Sequence, residues 1–107
     1  MRRKSVIIMV TCASRKEARR IADSLLKKRL VACANIVTEV ESSFWWKGRV
    51  EKAKEVLLLM KTLEANFRKV EAQVKSLHSY EVPEVIAIPI AAGSKSYLDW
   101  IVESVRV

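Results

Sequence analysis

Two long apolar stretches meet at Lys47-Gly48, and they set the scale of anything this chain can fold into. Val31 to Trp46 has no helical period and carries Val31, Val37, Thr38, Val40, Phe44, Trp45 and Trp46. Arg49 to Lys61 starts polar, with Glu51, Lys52 and Lys54, and becomes continuously apolar from Val56 to Met60. Both read as strands. Gly48 is one of only two glycines, so Lys47-Gly48 is the turn between them. Arms of about 13 to 16 residues, at about 3.3 Å per residue, reach on the order of 45 Å. A compact domain of this length is roughly 35 Å across. The turn end is therefore expected to project, with aromatic side chains on both faces of a strand. Either a bulge folds Phe44, Trp45 and Trp46 back onto the chain's own core, or they form an interface. Self-association is the favoured reading, because exposed sheet edges also invite pairing.

The flanking segments place this hairpin in a fold. Ser5 to Cys12 is a nearly unbroken β-branched and apolar run, the pattern of a strand buried on both faces. Ser14 and Glu17 form an S-x-x-E capping box. Ala18, Ile21, Ala22, Leu25 and Leu26 then recur at helical spacing, with Arg15, Arg19, Lys27 and Lys28 on the other side. After the hairpin, Thr62 is placed to cap a second helix, with Glu64 in its first turn. Its stripe is Leu63, Phe67, Val70, Val74 and Leu77. Val85 to Ile90 is a further strand, and Pro89 within it points to an edge or bulge. Gly93 and Ser94 open a last short helix with Tyr97, Leu98, Ile101 and Val105 on one face. The fold class is α+β: a ferredoxin-like β-α-β-β-α-β sandwich with a C-terminal helix and an overlong hairpin, one domain over residues 1–107.

Composition limits the function classes. No apolar run approaches the roughly 20 residues of a membrane span. The start, MRRKSVIIMVTCAS, imitates a signal peptide, but its apolar part is short and Arg15 and Lys16 follow at once. A strand followed by a helix cap fits it better. The net charge of +8 permits an anionic partner without requiring one. Scarce amides among many charges are a thermophile trait. Cys12 and Cys33 are too few for a disulfide framework, so two free thiols in a reducing cytoplasm are expected.

Three segments carry a resemblance over about Val6 to Trp100. TCASRKEARRIADSLLKKRLVACANI, SSFWWKGRVEKAKEVLLLMKT and LHSYEVPEVIAIPI followed by YLDW resemble the CutA family of divalent-cation tolerance proteins. The resemblance implies a cytoplasmic homotrimer of ferredoxin-like subunits packed through their long hairpins, an assembly like that of PII signalling proteins. It implies a role in tolerance to divalent metals, copper especially. The family's aromatic-Trp-x-Gly is present as Trp45-Trp46-Lys47-Gly48 and its Lys-Thr as Lys61-Thr62. Its His-Pro-Tyr stands here as His78-Ser79-Tyr80, with serine in place of the rigid proline. Some members have a second histidine where this chain has Leu77. The cysteine that some members carry at the end of the first strand has Cys12 as its nearest match.

His78 is the only histidine. Copper and zinc prefer thiolate and imidazole, and a closed site takes three or four ligands. Cys12, Cys33 and His78 are the soft candidates, and no CxxC or HxxxH pair joins them. The bland reading makes Cys33 a small core residue, Cys12 a buried strand end, His78 a cation at a helix C-terminus and the nearby glutamates solvated charge. The functional reading is a weak divalent-metal site, for Cu2+ or another ion, from His78, Cys12 and Glu81. Phe44, Trp45, Trp46, Lys61 and Tyr80 would then line a ligand pocket or interface. No nucleophile is motif-linked to His78, and two glycines cannot build a phosphate loop, so an enzyme is not expected. A PII-like sensor of a small anion would use Lys61 and Arg49. RNA binding is disfavoured: Lys47-Gly48 opens an RNP1-like phrase, but Arg49 and Val50 break it.

Overall fold

A computed structural model describes residues 4–107, and the basic start Met1–Arg3 lies outside the described residues. Four antiparallel strands form one sheet in the order β2-β3-β1-β4: β1 (Ser5–Cys12), β2 (Cys33–Trp46), β3 (Arg49–Leu63) and β4 (Ile86–Pro89). Helices α1 (Arg15–Lys27) and α2 (Phe67–Leu77) join the strands, and α3 (Lys95–Ser104) follows them. This is the expected ferredoxin-like order. Along β1, Val6, Ile8, Val10 and Cys12 are buried while the residues between them are half-buried. The buried set packs with Ile21 and Leu25 of α1, Val70 and Val74 of α2, and Val56, Leu58 and Met60 of β3. Leu63, on the reverse face, joins Ile101 and Val105 under α3.

The expectation that β1 is buried on both faces is corrected here. Only the helix side is fully covered. By register, Ile7 and Met9 of β1 lie on the other face with Leu57 and Leu59 of β3, Val37 of β2, and Ile86 and Ile88 of β4. Ile86, Ile88 and Val37 are each more than two-fifths exposed. A continuous apolar strand thus reflects a second apolar surface that its own chain covers only at the end where α3 packs.

Local chemistry differs from expectation at two helix starts. Thr62 does not cap: it stays in β3, and its hydroxyl donates to the Leu30 carbonyl at 2.6 Å. A short 3-10 turn, Glu64–Asn66, intervenes before α2, and Leu63 precedes it without a side-chain cap. At α1, Ser14 caps as expected, its hydroxyl accepting the Glu17 N–H at 3.1 Å. Glu17 reaches one residue further back than a regular capping box, to the Ala13 N–H at 3.0 Å. Pro89 sits in the edge strand, where its missing N–H costs no ladder bond.

The hairpin projects as its length requires. The molecule measures 45 × 26 × 22 Å. Trp46 and Arg49 pair across the turn, with Lys47 at φ 50° and Gly48 at φ 79°. Two central residues of positive φ make the type I′ turn that matches strand twist. A Cβ on Gly48 would meet nothing within 4 Å, so the cost of filling it is conformational alone. Gly48→Ala is expected to lower stability by about 1 kcal/mol, and Gly48→Asn by less, because asparagine visits this region more readily. Thermal unfolding at fixed protein concentration measures both. Between Val37 and Val40 the pairing slips by one residue, and Glu39 takes φ 62°. This bulge does not fold the tip back: Trp45 is 74% exposed and Val50 opposite it 53%.

Candidate metal centre

His78 terminates α2, its N–H donating to the Val74 carbonyl at 2.9 Å. Its imidazole does not serve the helix end. Arg20 does that, donating to the Leu77 carbonyl at 2.6 Å. The backbone of His78 is extended, which turns the ring toward the end of β1, where its side chain is fully buried. Nδ1 accepts the Tyr80 N–H at 3.1 Å. The ring proton is therefore on Nε2, which donates to the Thr11 carbonyl at 2.8 Å. Serine at 79, in place of a proline, supplies an N–H that this geometry uses.

That N–H donates to Glu17 Oε2 at 2.9 Å, while Oε1 holds the Ala13 N–H and lies 3.7 Å from His78 Nε2. Burial opposes ionisation of Glu17, but Ser79, the Ala13 N–H and His78 outweigh it and hold the carboxyl below its usual range. Cys12 ends β1 on the buried side. Burial first, then Glu17 and Glu55, pushes its thiol up to about 12. The ligating atoms of Cys12, Glu17 and His78 all lie within 4.8 Å of one another.

Of the three metal candidates, Cys12 and His78 come together with Glu17, and Glu81 lies apart from them. Glu81 is exposed and lies on a neighbouring cleft, away from this cluster. Glu17 is the carboxylate that lies beside Cys12 and His78. Its capping role was legible; its second role needed the chain path that brings Ser79 back to the start of α1. Cys33 is not in the core: it is half-buried on the open face, with Sγ 3.7 Å from the Tyr97 hydroxyl. Both cysteines are free.

The neighbouring cleft encloses about 1070 Å³ between the outer hairpin and the loop that follows His78. Phe44, Trp45, Trp46 and Tyr80 line it; Lys61 does not, and its ammonium instead donates to Asn35 on the open sheet face. Tyr80 ties the cleft to the cluster. Its ring centroid lies 4.7 Å from that of His78, and its hydroxyl donates to Glu55 Oε2 at 2.7 Å. Burial and then Glu55 push that hydroxyl well above the usual phenol range.

The sequence profile described as "CutA1 divalent ion tolerance protein" matches residues 6–104. The chain belongs to the CutA1 family. The divalent-cation tolerance protein CutA of Thermus thermophilus is 45% identical over 98 residues, covering 92% of this chain and 95% of the relative. That of Archaeoglobus fulgidus is 47% identical over 99 residues, covering 92% and 96%. A solved Thermus thermophilus CutA1 structure superposes with a TM-score of 0.93 at 43% identity, covering 95% of this chain and 99% of that one. Of the chloroplastic CutA 1 of rice, 41% identical, the chain spans only 58%. Among the described residues of this CutA1 chain, no helix is long and apolar enough to cross a membrane.

The donor set is one that a divalent ion, the class named in the family description, can use. One thiol, one imidazole and one carboxylate match the borderline-soft preferences of copper and zinc. Three donors leave a CutA1 site of this kind open to water or a further ligand.

Proposed function

We propose that this protein is a non-enzymatic, trimeric divalent-cation tolerance protein that holds a metal ion, copper(II) foremost, through Cys12, Glu17 and His78. The convergence of three chemically different ligating atoms within 4.8 Å carries the reading. The names of the relatives describe tolerance to cations rather than a reaction. Trimerisation draws support from the uncovered apolar sheet face and from Trp45 and Val50 at the tip. Two free thiols favour a reducing compartment, in keeping with the cytoplasm, although one solved relative is called periplasmic. A small-anion sensor is not favoured, because Lys61 lies away from the cleft and that cleft is rich in carboxylates.

Binding is weak for stated reasons. Cys12 must lose a proton held by a pKa of about 12, and His78 must pass its Nε2 proton to Nδ1, giving up its bonds to Thr11 and Tyr80. Copper affinity should therefore rise with pH, by about tenfold per unit for the one proton that Cys12 releases. Calorimetric titration of Cu2+ into the untagged native assembly tests the site. His78→Gln and Cys12→Ser should each weaken binding by about tenfold or more, the range for losing part of a metal site. Unaltered affinity in both variants would sink the assignment.

A further inference from the structure

We propose that the cleft beside the metal centre binds a small organic polycation of the polyamine class. The chain has a net charge of +8, yet the cleft reverses that sign. Glu41 and Glu51 line it from the hairpin, Glu81 and Glu84 from the opposite loop, and Glu55 from the base of β3; Lys52 is the one cation among the lining residues. None of these five carboxylates takes part in the ion pairs of the described residues, which engage Glu17, Glu71 and Asp99.

Glu55 marks the inner end. It is only 6% exposed, and the Tyr80 hydroxyl on Oε2 is its sole hydrogen-bond donor among the described residues. A carboxylate buried to this degree with no cation beside it is held at a cost that a bound cation removes. The remaining walls are aromatic. Phe44 and Trp46 pair with Glu51 and Arg49 across the hairpin, so they share one face with Glu55. The Lys47 ammonium already lies 5.6 Å from the centroid of the Trp46 ring, showing that this ring accepts an alkylammonium group.

Carboxylates spaced along an aromatic-walled trough match a chain of ammonium groups separated by methylenes. The ammonium groups meet the glutamates, and the methylenes meet Phe44, Trp46 and Tyr80. A hydrated inorganic ion would gain nothing from the aromatic walls, and about 1070 Å³ is a small-molecule volume. The site uses none of Cys12, Glu17 or His78, so it stands or falls apart from the metal reading. The whole-molecule field repels a polycation, so binding would report the local field of the cleft rather than general attraction.

The test is a spermine titration of the assembled protein in a Trp100→Phe background, where Trp45 and Trp46 are the remaining tryptophans and report through fluorescence. A saturable change, weakened by added salt, is expected. Glu81→Gln combined with Glu84→Gln should lower the affinity about tenfold, as loss of two exposed charge contacts allows. Glu103→Gln, an exposed carboxylate on α3 outside the cleft, should leave it unchanged. The proposal is overturned if spermine gives no saturable change, as when a second copy of the chain fills the cleft. It is also overturned if the double variant binds equally well, or if magnesium competes at the same concentration as spermine, which would make the cleft a general counter-ion surface.

Discussion

A Leu59→Asp variant is expected to sediment as a monomer at micromolar concentrations where the parent chain, on the proposed assembly, is expected to sediment as a trimer. Leu59 pairs with Met9 on one side and Asn35 on the other, at the middle of the uncovered sheet face. Its neighbours along the strand, Leu58 and Met60, point to the helix-packed core and are fully buried. The substitution therefore leaves the core intact while placing a charge on the face read as the trimer contact. Truncating a buried anchor residue at an interface costs about 2 kcal/mol or more, and an unpaired carboxylate there adds a desolvation cost. In a three-fold assembly the change occurs in every subunit, so the effects accumulate. Far-ultraviolet circular dichroism should stay close to that of the parent. A persisting trimer would show that the subunits meet elsewhere.

Glu17→Gln should cost about 1 kcal/mol, because it leaves a partly buried N–H facing an amide NH2. The carboxylate accepts Ala13 N–H with one oxygen and Ser79 N–H with the other, and glutamine offers a single acceptor. The pH dependence gives a second readout. The folded pKa of Glu17 lies below its ordinary value of 4.5, so its stabilising contribution is fully present above that value. The contribution is lost as pH falls through the folded pKa, below which both states bind the proton alike. The variant's deficit should therefore be largest near neutrality and shrink below about pH 4.5. Denaturant unfolding at fixed protein concentration, with a chelator present, measures this. A deficit that does not vary with pH would mean that the carboxylate charge has no part in holding the site.

Element order was legible because the chain punctuates itself: Ser14 opens α1, Lys47-Gly48 turns the hairpin, and Pro83 and Pro89 bracket the last strand. The start of α2 was misjudged because Thr62 looks like a cap from its sequence neighbours alone. In the fold its hydroxyl has a better use at the Leu30 carbonyl, 32 residues away. The metal candidates show the same division. Cys12 and His78 stand out by chemistry, since soft donors are rare in this sequence. Glu81 stands out as a polar neighbour of His78, but the bends at Ser79–Val82 carry it to the cleft rather than to Cys12. Glu17 is 61 residues from His78 in sequence, and only the return of the loop to the start of α1 brings the two together. The uncovered sheet face was hidden for a different reason: apolar residues on both faces of a strand say that both are covered, without saying by which chain.

The irregularity at Glu39 acts as a phase shift in the hairpin. Before it, the odd-numbered residues Cys33, Asn35 and Val37 share the uncovered face; after it, the even-numbered Val40, Ser42, Phe44 and Trp46 do. A hairpin shorter by that one residue would keep its composition, its turn and its length almost unchanged. With the turn kept, Phe44 would still pair with Glu51 and Trp46 with Arg49, so both would stay on the Glu55 face. The face that the tip aromatics share is thus set by their count back from the turn, and the extra residue near Glu39 absorbs the mismatch with the count from the start of β2.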